Sequence, residues 1–505
     1  MNNQESNSGN AFVSIIKFLP LLLFIVLVIV LKQDLLLAAP IATTAAVLIA
    51  MFTTKQKFSA IYDIGVENAS KLTLVFFILM FAFGVAECFM ASGVGAAIIR
   101  IALSFGVSGK TVALVGFLVT CVLSIATGTS WGTFAACAPM FLWLNYIVGG
   151  DIILTVCSVA GGTCFGDCIG FISDTTVLSS GMQEVNLLDR FKHQGIWSLS
   201  CMILTAIIIL LLSMGLSGEL GDATNAVDAI PAEAITALET ERPSALILLQ
   251  QVKAGVPIYM VLPLIIVIGL AVTGVQTMLC LGAGMLSALL LGMLAGTMNL
   301  TQWLDILLAG FGDAGSWTIV MMLWVAAFGG VMSSMKAFDP VAKLVVKLSK
   351  KVRHLMGWCA VICLAGDAAL ADETAEIATM SPIIRSIVED NVDGSPEAMY
   401  TLRLRLATFA DALGVYGSQL IPWHCYVVFY ASIANAVYPL YTFTPMDIVS
   451  KNVMGLVAVS SMLILTFTGL DKYVPMFKIP EEPVVKLKKY NTSKLEKAKL
   501  VEVTK

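Results

Sequence analysis

Two aspartates stand where an apolar chain should carry none. Asp167 lies in Phe165-Gly166-Asp167-Cys168-Ile169-Gly170-Phe171, and Asp411 lies in Phe409-Ala410-Asp411-Ala412-Leu413-Gly414-Val415. A carboxylate at the centre of a spanning helix costs about 2.5–3.5 kcal/mol on insertion scales, so its retention asks for a reason. One reason is functional: a carboxylate that binds either a proton or a cation, but not both, couples two fluxes by competition. The other is structural, as a helix cap or a hydrogen-bond partner for a nearby break.

Hydroxyls and further acids gather around both positions. The first half offers Thr129, Ser130 and Thr133, then Ser173, Asp174, Thr175 and Thr176. The second half offers Asp372, Glu373, Thr374, Ser418 and Gln419. A hard monovalent cation takes oxygen ligands. The candidate ion- or substrate-binding set is therefore Thr129, Ser130, Asp167, Ser173, Asp174 and Thr175, with Asp372, Glu373, Thr374, Asp411 and Ser418. Within it Asp167, Asp174 and Asp411 are the expected transient sodium ligands. Asp174 follows Ser173 and could equally begin a helix, since both residue types are favoured N-caps. Asp372 and Glu373 are adjacent, so on a helix they point different ways. His424, in Pro422-Trp423-His424-Cys425, reads more simply as a satisfied buried histidine than as a pH sensor.

The elements that hold these residues are membrane-spanning helices. Of 505 residues, 58% are hydrophobic and 13% charged, whereas soluble chains carry about 25% charge. The net charge of −4 gives no reason to expect nucleic acid. The 11 cysteines lie mostly in apolar runs, without paired CxxC spacing, so no zinc site is expected. No nucleophile–base pair and no phosphate-binding Gly-rich lysine motif occurs, so neither an enzyme nor an ATP-driven pump is expected, and no cofactor. A channel would need a continuous polar lining, which short interruptions between long apolar runs do not supply.

A spanning helix needs roughly 20 apolar residues. Full spans are expected near 12–31, 35–53, 72–91, 196–216, 255–272, 276–296, 316–335 and 452–470. Four stretches are apolar but broken. Residues 109–148 are cut at Gly128–Thr133, and 151–182 at Gly161–Thr163 and Gly166-Asp167. Residues 355–398 are cut at Gly366-Asp367 and Asp372–Thr374, and 403–436 at Asp411 and Gly414–Gln419. Inside hydrocarbon an unpaired backbone group costs several kcal/mol, so breaks survive where they line a cavity or bind something.

Basic loops stay in the cytoplasm. Lys343–Arg353, the lysine-rich tail and the loops holding Lys55, Lys57, Lys71, Arg190 and Lys192 are assigned inside, and the acidic 217–254 outside. Both termini are then cytoplasmic, provided 109–148 and 355–398 are hairpins. Residues 336–354 read as an amphipathic helix on the inner surface, with 93–104 as an outer counterpart.

The halves match each other. The two aspartate motifs sit 244 positions apart, Pro139 and Pro382 243 apart, and Gly84 and Gly330 246 apart. The expected fold is an all-α polytopic membrane protein with two inverted-topology repeats, re-entrant hairpins and broken helices. Its expected parts are N-terminal helices (1–71), a first repeat (72–182), linking helices with the acidic loop (183–315), a second repeat (316–436), a last helix (437–476) and a basic tail (477–505).

Ala126-Thr127-Gly128-Thr129-Ser130-Trp131-Gly132-Thr133, Phe165-Gly166-Asp167 and Ile172-Ser173-Asp174-Thr175-Thr176-Val177-Leu178-Ser179-Ser180 resemble the signature of the NhaC-type sodium/proton antiporters, of the ion transporter superfamily. The resemblance runs from about 70 to 470 and is looser in the second half. It implies exchange of sodium ions for protons in a prokaryotic cell membrane and an elevator-like movement of the hairpin-bearing domain. The family also holds exchangers of organic acids such as malate and lactate, and amino-acid transporters, so coupled transport of a small organic acid or amino acid is the alternative. The expected partners are the lipid bilayer, sodium ions and protons, with a small organic acid under the alternative; a homodimer is compatible with the sequence.

Overall fold

The computed structural model describes residues 16–488 except 32, 71–72, 128–129, 171–172, 217, 219–226, 229, 231–234, 237–238, 240–242, 274, 316–318 and 336–338. Thr129 and the basic tail beyond 488 therefore lie outside the described residues. The chain is almost wholly helical. Six helices among the described residues are long and apolar enough to cross a membrane, judged by length and composition.

The N-terminal part comprises α1 (Leu19–Ile25), extended by a π-turn, α2 (Leu35–Thr54), α3 (Phe58–Ser70), α4 (Thr73–Ser92) and α5 (Val94–Ser104). The basic segment expected to be a plain loop after Lys55 is in fact α3. It is helical because Ile61, Gly65 and Ala69 recur every four residues and are buried on one face. Between α4 and α5 the chain bends by 67° at Gly93, whose φ of +105° suits glycine.

Next come α6 (Val112–Thr127) and α7 (Ser130–Val148), then α8 (Ile152–Ile169) and α9 (Asp174–Met182). α6 and α7 form a hairpin, with Gly116 facing the Phe141 ring. α8 lies against α6 at backbone contact. A Cβ at Gly166 would stand 1.9 Å from the Ile125 nitrogen, and one at Gly162 2.2 Å from Thr120 Oγ1. Without a hydrophobic drive between helices in lipid, small residues at such a seam let backbones approach. The Ser124 hydroxyl fills the seam, accepting from the Gly166 amide at 2.9 Å.

The linking part holds α10 (Leu187–Ser213), α11 (Pro243–Ala254), α12 (Leu262–Val272), α13 (Thr277–Ala295) and α14 (Leu300–Asp313). The region read as an external loop thus ends in a helix, α11, with Ala245, Leu248, Leu249 and Val252 buried. α13 and α14 pack on α4.

The second half repeats the element order of the first. α15 (Ile319–Ser334) packs on α2 and α3, and α16 (Asp339–Leu348) is the short amphipathic segment. In α16 Val345 is buried, while Leu344 and Leu348 stay exposed beside Lys347. α17 (Val352–Leu370) and α18 (Glu373–Asn391) form a second hairpin, with Gly366 against Met380. α19 (Pro396–Ser418) and α20 (Cys425–Val437) flank a second break, and α21 (Pro445–Ser450) and α22 (Val453–Thr468) complete the bundle.

A small two-stranded sheet departs from the all-helical expectation. β1 (Val392–Gly394) pairs antiparallel with β2 (Val485–Leu487). It straps the C-terminal segment under α19, where Phe477 stacks on Trp197 and lies 3.6 Å beneath the buried Arg405 guanidinium.

Candidate ion-binding site

Four interrupted elements meet at one place. Each interruption sheds intrahelical hydrogen bonds, and the exposed ends are satisfied across elements rather than along them. Asp167, on the last turn of α8, is 2% exposed. Its Oδ2 accepts from the Ser130 hydroxyl at 2.6 Å and the Ser130 amide at 3.2 Å. Ser130 is the first residue of α7, so the carboxylate sits at a helix N-terminus, where amides and dipole favour an anion. Oδ1 accepts from the Ser173 hydroxyl at 2.8 Å, and Ser173 N-caps α9 through the Thr176 amide. Thr175 Oγ1 lies 2.9 Å from Ser173 Oγ.

The second half reaches the same carboxylate through Tyr426, at the start of α20. Its hydroxyl lies 3.1 Å from Asp167 Oδ2 and makes a short contact with Glu373 Oε1. Trp131, next to Ser130, packs on the Tyr426 ring with centroids 4.5 Å apart and fixes its direction. Tyr426 therefore bridges the tip of one hairpin, the break of α8 and the tip of the other hairpin. A hydroxyl has one proton to donate, yet here it faces two carboxylates. With both acids ionised, one of the two contacts would set lone pair against lone pair. The trio is complete with one more positive charge, a proton or a bound cation.

Asp411 lies nearby but has its own counter-ion. It is fully buried in α19 and pairs through Oδ2 with the guanidinium of Arg190 on α10. Thr176 Oγ1 lies 3.1 Å from the same oxygen and equally 3.1 Å from the Asp167 main-chain carbonyl. Thr176 thus links the two aspartates, and Thr175 reaches Asp411 as well. Arg190 is held by Gln194 Oε1 at 2.9 Å and the Thr176 carbonyl at 3.1 Å.

The expected residues divide accordingly. Ser130, Asp167, Ser173 and Thr175 come together, and Glu373 joins them rather than Asp411. Asp372 accepts from the Ala375 amide at 2.7 Å, which makes it the N-cap of α18. Thr374 is exposed and turned from the cluster. Ser418 donates to the Val415 carbonyl at 2.8 Å, closing the end of its own helix. Asp174 opens α9; its side chain, like all of Thr129, lies outside what is described. His424 is buried 3.0 Å from Asp367 Oδ1.

Tyr426 and Arg190 carry no sequence signal strong enough to place them in the site, whereas Thr176 stood among the oxygens expected around Asp167. Tyr426 could have been found by asking what lies just past Pro422-Trp423, the second half's equivalent of the Ser173 break. Arg190 reads as a loop charge because it begins a helix whose apolar run starts later.

A model of the Na+/H+ antiporter family matches residues 162–467. The arginine/ornithine antiporter ArcD of Halobacterium salinarum is 24% identical over 458 residues, 85% of this chain and 84% of that protein. The Na(+)/H(+) antiporter NhaC of Alkalihalophilus pseudofirmus is 22% identical, over 70% of this chain and 75% of its own. The malate-2H(+)/Na(+)-lactate antiporter of Bacillus subtilis is 26% identical over 31% of this chain and 32% of its own.

Proposed function

Since the chain belongs to the Na+/H+ antiporter family, and is a multi-pass membrane protein by its apolar helices, we propose that it exchanges sodium ions for protons, with Asp167 as the group for which the two compete. The observation that carries this reading is the single Tyr426 hydroxyl between Asp167 and Glu373. That arrangement accepts one positive charge and is indifferent to whether a proton or sodium supplies it. Ser130, Ser173 and the two carboxylates offer the oxygens a hard cation takes. No step of this kind needs ATP, since the gradient of one ion drives the other.

In this reading residues 72–182 and 316–436 act as inverted repeats whose hairpins carry the site between the two faces of a prokaryotic cell membrane, with both termini in the cytoplasm. In proteoliposomes with an internal pH dye, a sodium gradient should drive proton movement, and Asp167→Asn should abolish it. Normal exchange by that variant would refute the role of Asp167.

A second reading is exchange of amino or organic acids. The 85% of this chain aligned with an arginine/ornithine antiporter favours it, and a carboxylate-rich site suits a cationic side chain. Uptake of labelled arginine, ornithine, malate and lactate, with and without sodium, separates the two. Arginine uptake that ignores sodium would replace the sodium/proton reading.

A further inference from the structure

Glu376 is the buried acid that the site above does not use. It lies one turn after Glu373 on α18 and is fully buried. Apart from the approach of the neutral Cys363 thiol, neither of its oxygens has a hydrogen-bond partner among the described residues. The face of α19 opposite it is cut away: a Cβ at Gly414 would stand 3.2 Å from Glu376 Oε2, and one at Gly417 3.6 Å from Asp367 Oδ2. Asp411, Gly414 and Gly417 recur at helical spacing, so three carboxylates, from Asp411, Glu376 and Asp367, line one groove.

Counting partners singles out Glu376. Asp411 has Arg190, and Asp367 has His424 3.0 Å away. The groups facing Glu376 are Asp367 and Cys363 from α17 and Asp411 from α19, with Glu373 on its own helix. α9 meets α18 through the neutral Gln183, whose amide donates to the Ser381 carbonyl. None of these is a cation. An ionised carboxylate there would be an unpaired buried charge beside like charges, at a cost of several kcal/mol. A carboxylic acid fits the same space without that cost.

We infer that Glu376 is a second proton-binding site, distinct from the Asp167 trio, and that its proton moves with each exchange cycle. Its movement rests on the sodium/proton reading above; its presence does not. The side chain is three residues from Glu373, so release from one carboxylate alters the field at the other.

Two measurements on the full chain test this. Infrared spectra of the purified protein should show a protonated-carboxyl band that Glu376→Gln removes and Asp167→Asn leaves. In proteoliposomes the protons moved per sodium should fall by half in Glu376→Gln. An unchanged band or an unchanged ratio overturns the inference. Should wild-type protein show no sodium-linked proton flux, the antiport reading fails, and the infrared comparison still decides whether Glu376 holds a proton. Should Glu376→Gln not fold, Gly414→Ala takes its place. Its methyl would crowd Glu376 Oε2 and shift the band; a band that stays put overturns the assignment.

Discussion

Arg190 and Asp411 form an ion pair whose side chains are 1% and 0% exposed. The pair joins α10, in the linking part, to α19, in the second half. It also makes the two matched aspartates chemically unequal. Among the described contacts Asp167 meets the hydroxyls of Ser130, Ser173 and Tyr426, whereas Asp411 carries a fixed guanidinium. Removing one partner of a buried pair typically costs about 3–5 kcal/mol, because the other charge is left alone. Arg190→Gln should therefore lower the thermal midpoint of the detergent-solubilised protein sharply. The double variant Arg190→Gln/Asp411→Asn should regain much of the loss. Equal instability of single and double variants would mean that the pair is not what holds these helices together.

Tyr426→Phe removes the hydroxyl between Asp167 and Glu373 and keeps the ring that packs on Trp131. Hydrogen bonds to charged groups contribute about 1.5–3 kcal/mol. Apparent sodium affinity in vesicle transport should fall by about 10- to 100-fold, with the fold intact by circular dichroism. Unaltered affinity would remove Tyr426 from the site.

Gly166→Ala would drive a methyl to within 1.9 Å of the Ile125 nitrogen, a backbone atom that cannot step aside. Its cost should exceed the roughly 1–3 kcal/mol usual for overpacking. Gly181, in α9, has nothing within 4 Å of its would-be Cβ. Alanine there should be tolerated or stabilise by about 0.5–1 kcal/mol, by helix propensity. Comparing yields of monodisperse protein by size-exclusion chromatography checks both.

Asp151 precedes α8 and N-caps it, accepting from the Leu154 amide at 3.0 Å. Partial burial tends to raise its carboxyl, but the Lys451 ammonium and the cap amides outweigh this and hold it below its usual value. An acid whose folded value is depressed adds stability above the unfolded carboxylate range, near about 3.9, and loses it as pH falls through the folded value. Melting curves should show Asp151→Asn less stable than wild type near neutrality, with the gap closing in acid. A constant gap would show that the ion pair contributes nothing measurable.

The broken helices were legible because breaks inside apolar runs are costly and therefore conspicuous. Ser130, Gly166-Asp167, Asp372–Thr374 and Ser418-Gln419 lie close to where α7, α8, α18 and α19 begin or finish. Gly161–Thr163, Gly366-Asp367, Asp411 and Gly414, also expected as breaks, lie inside α8, α17 and α19, which run through them. Helix α3 was not legible: its buried stripe of Ile61, Gly65 and Ala69 is narrow and small, and lysines flank it.

The sequence by itself determined that this is a polytopic membrane protein with interrupted helices and acids at the interruptions. Hydrophobicity and the cost of buried charge are local properties, readable residue by residue. Partnership is not local. Which acid shares a proton with Tyr426, which is neutralised by Arg190 and which, at Glu376, has no cation beside it depends on contacts between residues far apart in the chain. The internal match made Asp167 and Asp411 look like equals, because a repeat preserves residue type. Their surroundings differ because α10 lies between the two matched segments, and the guanidinium it brings pairs with Asp411.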